Sequence, residues 1–266
     1  MIADYHTHNA LCRHAEGEPA DYVAAAKTAG LPEIGIADHS PMPETFDDWR
    51  MLREEFPRYL ELVEEARLAH PDFPVRLGME VDYFPPGAIG HDWISELKDM
   101  ADWDYWIGSV HYIAPGWDVD NPKWIGRFSE GDVAEIWKTY WDIYVQAIKS
   151  EQFHIMGHAD LPKKFGFRPE GDLRKYYEPA VAAAVEHGVA FEINTAGWYK
   201  ECAEQYPSRA FLEMVYEAEV PIVISSDAHE PRHVGRDFEK AREIAIEVGF
   251  LTTLRFENGV RKTVNL

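Results

Sequence analysis

The sequence has only two cysteines, Cys12 and Cys202, and no CxxC pair among its 266 residues. A disulfide framework is therefore not expected, and a reducing compartment is the simpler inference. No apolar run reaches the ~20 residues that a membrane-spanning helix needs. The first residues also lack the charged and apolar regions of a secretory signal. We therefore expect a cytoplasmic protein without a membrane segment.

Positive charge is also scarce, because 26 Lys and Arg face 47 Asp and Glu, which gives a net charge of −21. Proteins that bind nucleic acids need a basic surface, so a nucleic-acid partner is not expected. A small anionic substrate at a local cationic site remains compatible, because charges beyond ~8 Å are largely screened at physiological salt. The sequence contains neither GxGxxG nor a P-loop. We predict no particular oligomeric state.

Short apolar segments alternate with helical patterns along the chain. The predicted strands are IADY (2–5), EIGIAD (33–38), VRLGMEVDY (75–83), YWIGSV (105–110), FHIMG (153–157), VAFEIN (189–194) and PIVISS (221–226). Seven strand–helix repeats in a chain of this length favour a closed parallel barrel over an open sheet. We therefore predict an α/β fold and a single domain over residues 1–266.

Helix and turn signals separate these strands. The segment ADYVAAAKTAG ends at Gly30, YLELVEEARLAH follows Pro57, and SEGDVAEIWKTYWDIYVQAIKS is expected to be capped by Ser129. The tail LTTLRFENGVRKTVNL predicts a hairpin that turns at Asn258-Gly259. The loop from Tyr112 to Gly126, rich in Trp, Pro and Gly, is interpreted as either a lid or an ordered surface loop.

Metal-binding residue types follow six of the seven predicted strands, and an asparagine follows the other. His6 and His8 end the first strand and point the same way, because side chains alternate along a strand. Active sites of parallel barrels form at this carboxyl end. The side chains found there are His6, His8, His14, Asp38, His39, Glu80, His111, His158, Asp160, Asn194, Asp227 and His229. Each has an ordinary structural explanation, but unrelated explanations would not all select one end of the barrel.

The sequence therefore predicts a metal site of several ions. About nine nitrogen and oxygen ligands exceed the four to six that one transition metal takes, so two or three divalent ions are expected. Imidazole and carboxylate ligands without a thiolate cluster suit Zn²⁺, Mn²⁺ or Fe better than Ca²⁺. Cys12 is interpreted as a buried thiol rather than a ligand.

These motifs resemble the polymerase and histidinol phosphatase (PHP) family, whose fold is a distorted (β/α)7 barrel with a trinuclear metal centre. The matching pieces, in family order, are DYHTH, ADHS, GMEVDYF, GSVHY, GHADL and SSDAH. The chain length and the pair GHADLPKKFG and EINTAG resemble the histidinol-phosphatase branch, which removes phosphate from L-histidinol phosphate in histidine biosynthesis.

The resemblance implies how the ligands are divided among three ions. His6, His8, Glu80 and Asp227 would hold the first ion. Glu80 would bridge to a second ion, held also by His111 and His158. His14, His39 and His229 would hold the third.

One segment departs from the branch. In that branch, the stretch after the sixth strand usually reads Asn-Thr-Ser-Gly, followed two positions later by a basic residue that helps grip phosphate. Here the segment is Asn194-Thr195-Ala196-Gly197-Trp198-Tyr199, and Lys200 comes one place later. Asn194, Trp198 and Tyr199 are therefore expected beside the substrate. The cations that we expect to grip phosphate are Lys163, Lys164, Arg168, Lys200 and Arg232.

The predicted reaction is metal-dependent hydrolysis of a small phosphate monoester. Metal ions acidify water, whose pKa falls to about 7 on zinc, and the hydroxide attacks phosphorus in line. Glu80 is predicted to bridge two ions. Asp160 is the first candidate for the acid that protonates the leaving group, with Asp38 behind it.

Three alternatives remain open from the sequence. A PHP phosphoesterase acting on nucleotides or other esters would use the same metal site. An amidohydrolase also opens with His-x-His but commonly uses a lysine after strand four, where this chain has SVHY. A non-catalytic metal-binding module would need only part of the ligand set.

Overall fold

The computed structural model describes residues 1–266 and contains eleven strands and eight α-helices. The strands are β1 (Ile34–Ile36), β2 (Val75–Leu77), β3 (Glu80–Asp82), β4 (Ile107–Ser109), β5 (Tyr112–Ala114), β6 (Trp117–Asp118), β7 (Ile155–Met156), β8 (Ala190–Asn194), β9 (Ile222–Ser225), β10 (Thr252–Glu257) and β11 (Val260–Asn265). The helices are α1 (Pro19–Thr28), α2 (Phe56–Ala69), α3 (Trp93–Lys98), α4 (Ile125–Glu130), α5 (Val133–Lys149), α6 (Arg174–His187), α7 (Arg209–Glu217) and α8 (Phe238–Val248). No helix is both long and apolar enough to cross a membrane.

Parallel strands close into a distorted barrel, as the sequence predicts. Strands β3, β4, β7, β8 and β9 form one parallel sheet, and β1 pairs with β2. The N-terminal segment closes the gap between β1 and the end of β9, because Gly35 N donates to Asp4 O at 2.7 Å and His8 N donates to Ala228 O at 2.9 Å. This segment forms only isolated bridges at Asp4 and Thr7 rather than the predicted strand over residues 2–5.

The third predicted strand is interrupted between β2 and β3. The prediction of one continuous strand over residues 75–83 is therefore wrong, although Gly78 N still donates to Ile36 O at 2.8 Å. The ring of Tyr105 lies against Gly35 and Gly78, where a Cβ atom would collide with it. The two glycines thus leave room for this aromatic ring inside the barrel.

A hairpin closes the end of the barrel at which the strands begin. Strands β10 and β11 are antiparallel, and the predicted turn at Asn258 and Gly259 is confirmed by φ angles of 51° and 73°. Phe256 of β10 packs on Tyr5 and Tyr105, with ring centroids 5.5 Å and 6.0 Å away, and the two tyrosine rings are 4.8 Å apart. The carboxyl ends of the strands lie at the opposite, open end.

The start of α5 differs from the prediction. The helix begins at Val133, and Asp132 caps it by accepting from Ala134 N at 2.9 Å. Ser129 belongs to the preceding helix α4, and its hydroxyl donates to Gly126 O at 3.2 Å. The aspartate is the better cap because its charge also favours the helix N-terminus.

The 112–126 segment carries secondary structure of its own. It contains the hairpin β5–β6, a 3-10 turn over Pro122–Trp124 and the first residues of α4. Lys164 holds Asp120 of this segment at 2.9 Å. A lid role for the segment stays a prediction.

Candidate metal centre

Glu80 lies at the centre of the open end of the barrel and contacts several imidazoles. It begins β3 and is almost fully buried. Its Oε1 lies 2.8 Å from His158 Nε2, and its Oε2 lies 2.7 Å from His39 Nδ1 and 3.3 Å from His6 Nε2. The two carboxylate oxygens thus face separate groups of nitrogens, which is the arrangement of a bridging ligand.

A second group of donors forms where the N-terminal segment meets the residues that follow β9. Asp227 Oδ1 lies 3.2 Å from His8 Nε2 and 3.7 Å from His6 Nε2. His6 and His8 are fully buried and alternate with Thr7 on the segment that closes the barrel. The expectation that both imidazoles face one side is therefore met by the backbone.

His14 and His229 form a third group with His39, and their Nε2 atoms lie 2.9 Å apart. His14 Nδ1 lies 2.7 Å from Cys12 O, and His229 Nδ1 lies 3.0 Å from Asp227 O. Because a carbonyl oxygen only accepts, each Nδ1 carries the hydrogen and each Nε2 presents a lone pair. Two lone pairs at this distance repel one another unless a cation accepts both.

Hydrogen bonding in the buried part of the cluster also fits metal ions. His6 Nε2 and Glu80 Oε2 are buried and lie 3.3 Å apart, and neither makes a hydrogen bond of good geometry with the groups around it. Buried polar atoms of a folded protein are normally satisfied, so these atoms are suited to a ligand. The donors assemble in overlapping groups whose ligand atoms lie within 4.8 Å of one another: His6, Glu80 and His158; His6, His8 and Asp227; His8, His39 and Glu80; His14, His39 and His229; and His8, Cys12 and His229.

His111 stands further from the other donors. Its Nε2 lies 3.8 Å from Glu80 Oε1, and its Nδ1 lies 2.8 Å from Asp82 Oδ1. Asp82 is in turn paired with Arg50 at 2.8 Å. The imidazole is thereby oriented with Nε2 toward Glu80, although it enters none of the groups described above.

Two carboxylates that orient ligands were missed in the sequence. Glu192 Oε1 lies 2.7 Å from His6 Nδ1, and Asp82 holds His111 as described. Both carboxylates are buried. Glu192 precedes Asn194 by two residues and Asp82 follows Glu80 by two, so each lies on the ligand-bearing side of its strand. A carboxylate with this period-two spacing inside an apolar strand is the signal that would have found them.

Electrostatics keep the carboxylates of the cluster ionised. Burial raises the pKa of Glu80, but the imidazoles of His39 and His6 beside it hold that pKa well below its usual value. Asp227 behaves in the same way, because His6 and His8 outweigh its burial and lower its pKa. Burial keeps the pKa of His229 well below 6.5, which leaves that imidazole neutral. At His6 and His8, burial lowers the pKa, but the neighbouring carboxylates outweigh it and raise the pKa, so metal binding at these two imidazoles would displace a proton.

The cluster forms the floor of a cavity of about 650 Å³. The basic side chains of the wall are Lys164, Lys200, His233 and Arg236. The acidic side chains are Asp48, Asp118, Asp120 and Glu230, and Asp120 pairs with Lys164 at 2.9 Å. Trp49, Tyr199 and Tyr206 are the aromatic residues of the wall. A small ligand that carries both charges would match this lining.

Three of the cations expected to grip phosphate do not reach this cavity, so these predictions are wrong. Lys163 is fully buried and its Nζ donates to Glu204 at 3.0 Å and to Asp160 at 3.2 Å. Arg168 is paired with the same Glu204 at 2.9 Å. Arg232 points into solvent beside Glu230. Lys164, one residue beyond Lys163, is the lysine of this motif that lines the cavity.

The NTAGWY segment is also divided by the fold. Tyr199 and Lys200 line the cavity, as expected. Trp198 packs outside it, with Lys240 lying 3.8 Å from the centre of its ring. Asn194 is fully buried and donates to Asp227 Oδ2 at 3.2 Å, so it positions a candidate ligand instead of touching substrate. The expectation of substrate contact is therefore wrong for Trp198 and Asn194.

The two candidate acids are also placed away from the cavity. Asp160 is fully buried, accepts from Ser208 N at 2.8 Å and pairs with Lys163. Burial raises its pKa to about 6, but it has no path to a leaving group. Asp38 is fully buried behind His8, with Oδ1 3.4 Å from His8 Nδ1. Both assignments as general acid are corrected to positioning roles.

Comparisons with known proteins identify the family that the chain resembles. A model of the PHP domain matches residues 4–196 of the chain. A probable histidinol-phosphatase of Deinococcus radiodurans is 38% identical over 250 residues, covering 93% of this chain and 94% of that protein. The histidinol-phosphatase of Bacillus subtilis is 25% identical over 261 residues, covering 89% and 96%.

Among solved structures, histidinol phosphate phosphatase of Lactococcus lactis superposes with a TM-score of 0.79 and 20% identity. The superposition covers 98% of each chain, so the whole fold is shared. That protein was crystallised with zinc, L-histidinol and phosphate.

Proposed function

The chain belongs to the PHP family, and we propose that it is a metal-dependent histidinol-phosphatase, which converts L-histidinol phosphate and water to L-histidinol and phosphate. The observation that carries the proposal is the convergence of imidazoles on Glu80, at the floor of a cavity whose wall carries both basic and acidic side chains. Near full-length relatives named histidinol-phosphatase support this substrate.

Two to three divalent ions, Zn²⁺, Mn²⁺ or Fe, are the proposed cofactors. We assign His6, His8, Glu80 and Asp227 to the first ion, Glu80, His111 and His158 to the second, and His14, His39 and His229 to the third. The donor groups at 4.8 Å or less support the first and third assignments most directly. When bound, such ions lower the pKa of water and neutralise charge on phosphate oxygens.

The protein's own residues orient the ligands and the substrate. Glu192, Asp82 and Asp38 hold the Nδ1 sides of three histidine rings, which fixes the direction of each Nε2. Lys164 and Lys200 face the cavity and would hold the phosphate group of the substrate. The acidic side chains of the cavity lining suit the ammonium group that L-histidinol phosphate also carries.

A single barrel domain of residues 1–266 is proposed to carry this activity. The two ends of the chain meet, because the N-terminal ammonium of Met1 donates to Asn265 O at 2.8 Å. We propose a cytoplasmic location, since Cys12 and Cys202 are both unpaired.

Phosphate release from L-histidinol phosphate tests the proposal. Protein loaded with Mn²⁺ or Zn²⁺ is compared on this ester, a panel of nucleotides and sugar phosphates, and a panel of amides and lactones. We expect a kcat/KM of order 10⁴ M⁻¹s⁻¹ or more for L-histidinol phosphate, well above every other compound. Faster cleavage of a nucleotide or an amide would contradict the substrate, and bound metal without any turnover would contradict catalysis.

A further inference from the structure

Arg236 is a cation of the cavity wall that has no carboxylate partner. Its Nε is buried without a hydrogen-bond partner, whereas Lys164 on the same wall is paired with Asp120 at 2.9 Å. A guanidinium carries five donors and binds planar or tetrahedral oxyanions through two of them at once. The Arg236 guanidinium has no carboxylate partner although the protein carries a net charge of −21, so it is a strong candidate for anion binding.

The conformation of Arg236 is fixed from two sides by the segment after β8. Its carbonyl oxygen accepts from Thr195 Oγ1 at 2.9 Å. Its guanidinium lies 3.6 Å from the centre of the Tyr199 ring, and the Tyr199 hydroxyl donates to Asp237 Oδ2 at 2.5 Å. Stacking on an aromatic face holds the plane of the guanidinium and leaves its N–H edges free for a ligand.

Other positive charges lie close to the same place. Burial at the cavity wall and the charges of Lys164 and Arg236 lower the pKa of Lys200, against the opposing effect of Asp227 and Asp120. Cations that converge in this way repel one another, and an anion bound between them removes the repulsion. Asp227, a candidate metal ligand, lines the same cavity, so the three cations lie in the cavity that holds the metal cluster.

We propose that Arg236, held in plane by Tyr199, binds the phosphate group of the substrate as a specificity-determining residue. The inference rests on the proposed phosphatase function, because it names a residue that recognises the phosphoryl group of that reaction. It also explains the aromatic residue at position 199, since the ring of Tyr199 supports a cation from the loop after β9. The arginine is nine positions beyond Asp227 and lies outside every motif of the sequence.

Binding of inorganic phosphate to the metal-loaded protein, measured by isothermal titration calorimetry, tests the inference without turnover. We expect Arg236→Gln to weaken phosphate binding at least about tenfold, because a charge-assisted hydrogen-bond donor is lost. Arg236→Lys should recover part of the affinity. Arg242→Gln, on α8 beside Glu239, is the matched control and should bind as the wild type does. Metal content is measured for each protein.

The support from Tyr199 is tested with two variants. Tyr199→Phe keeps the ring, so its phosphate affinity should stay within about threefold of the wild type. Tyr199→Leu removes the ring and should weaken phosphate binding more than Tyr199→Phe does. In the double variant Arg236→Gln/Tyr199→Leu, the effect of the leucine should disappear. Additive effects, or loss of metal in Arg236→Gln, would overturn the inference.

Steady-state kinetics separate the inference from the proposed function. With L-histidinol phosphate, Arg236→Gln should raise KM about tenfold or more, with a smaller change in kcat. Normal KM and normal phosphate affinity in this variant would overturn the role of Arg236 and leave the phosphatase intact. A wild type without turnover would reject the proposed function, while the calorimetry would still decide whether Arg236 binds phosphate.

Discussion

Glu192 holds His6 through a 2.7 Å contact between Oε1 and Nδ1, deep inside the barrel. Both side chains are fully buried, and His6 Nε2 on the far side of the ring faces Glu80. The contact fixes which nitrogen carries the hydrogen and therefore which nitrogen is free to bind a metal ion.

Glu192→Gln should lower the metal affinity of the site about 10- to 100-fold, because the amide does not supply the charge that orients His6. Titration of chelator-treated protein with Zn²⁺ measures this effect. Glu178→Gln, at an exposed position on α6, serves as the control and should bind metal normally. Unchanged Zn²⁺ affinity in Glu192→Gln would show that the carboxylate does not tune the ligand.

Glu80→Ala should abolish phosphatase activity and lower the metal content while the fold is kept. The reason is that both oxygens of Glu80 face imidazole nitrogens of the cluster. Metal analysis, circular dichroism and phosphate release on the same sample measure the three properties. Turnover close to that of the wild type would exclude a bridging role.

Lys163→Met should destabilise the protein by about 3–5 kcal/mol, because it leaves Asp160 buried without its counter-ion. Urea unfolding measures the free energy. The double variant Asp160→Asn/Lys163→Met removes both charges and should be more stable than Lys163→Met alone. A stable Lys163→Met protein with a raised KM would instead favour the phosphate-gripping role that the fold argues against.

His154 should make the protein less stable in acid. Burial, with the positive charges of Lys98 and Arg261, lowers its pKa from 6.5 to about 4. The unfolded chain therefore takes up the proton first as the pH falls, so the stabilisation present above pH 6.5 is lost between pH 6.5 and 4. The full loss is about 3 kcal/mol at one histidine.

The variant His154→Asn isolates this contribution. Its side-chain oxygen can accept from Trp106 N as His154 Nδ1 does at 3.0 Å, but it does not titrate. The free energy of unfolding, measured in urea at pH 7 and pH 5 at equal metal loading, should fall less in the variant than in the wild type. Equal losses in both proteins would contradict the assignment.

Residue pattern predicted the fold and the cluster better than it predicted the cavity wall. The histidines come directly after strand segments, so the closure of the barrel alone brings His6, His39 and His158 to Glu80. Period-two alternation and the carboxyl-end rule suffice for that inference.

The cavity wall depends on loop geometry that no periodicity encodes. Lys163 and Lys164 are neighbours, yet the 3-10 turn Leu161–Phe165 buries one and turns the other to the cavity. Arg236 lies at the wall, where its carbonyl oxygen accepts from Thr195 and its guanidinium stacks on Tyr199. Ser129 and Asp132 are both favourable residues for a helix N-cap. Because α4 ends just before Gly131, Asp132 is the residue that caps α5.

Phosphate release from L-histidinol phosphate as a function of added metal is the most direct test of the account. Chelator-stripped protein is titrated with Mn²⁺ or Zn²⁺, and the rate is followed against the molar ratio of metal to protein. We predict no turnover without metal and a rate that saturates at about two to three ions per chain. Full turnover of the stripped protein, unchanged on adding either metal, would contradict a metal-dependent phosphatase.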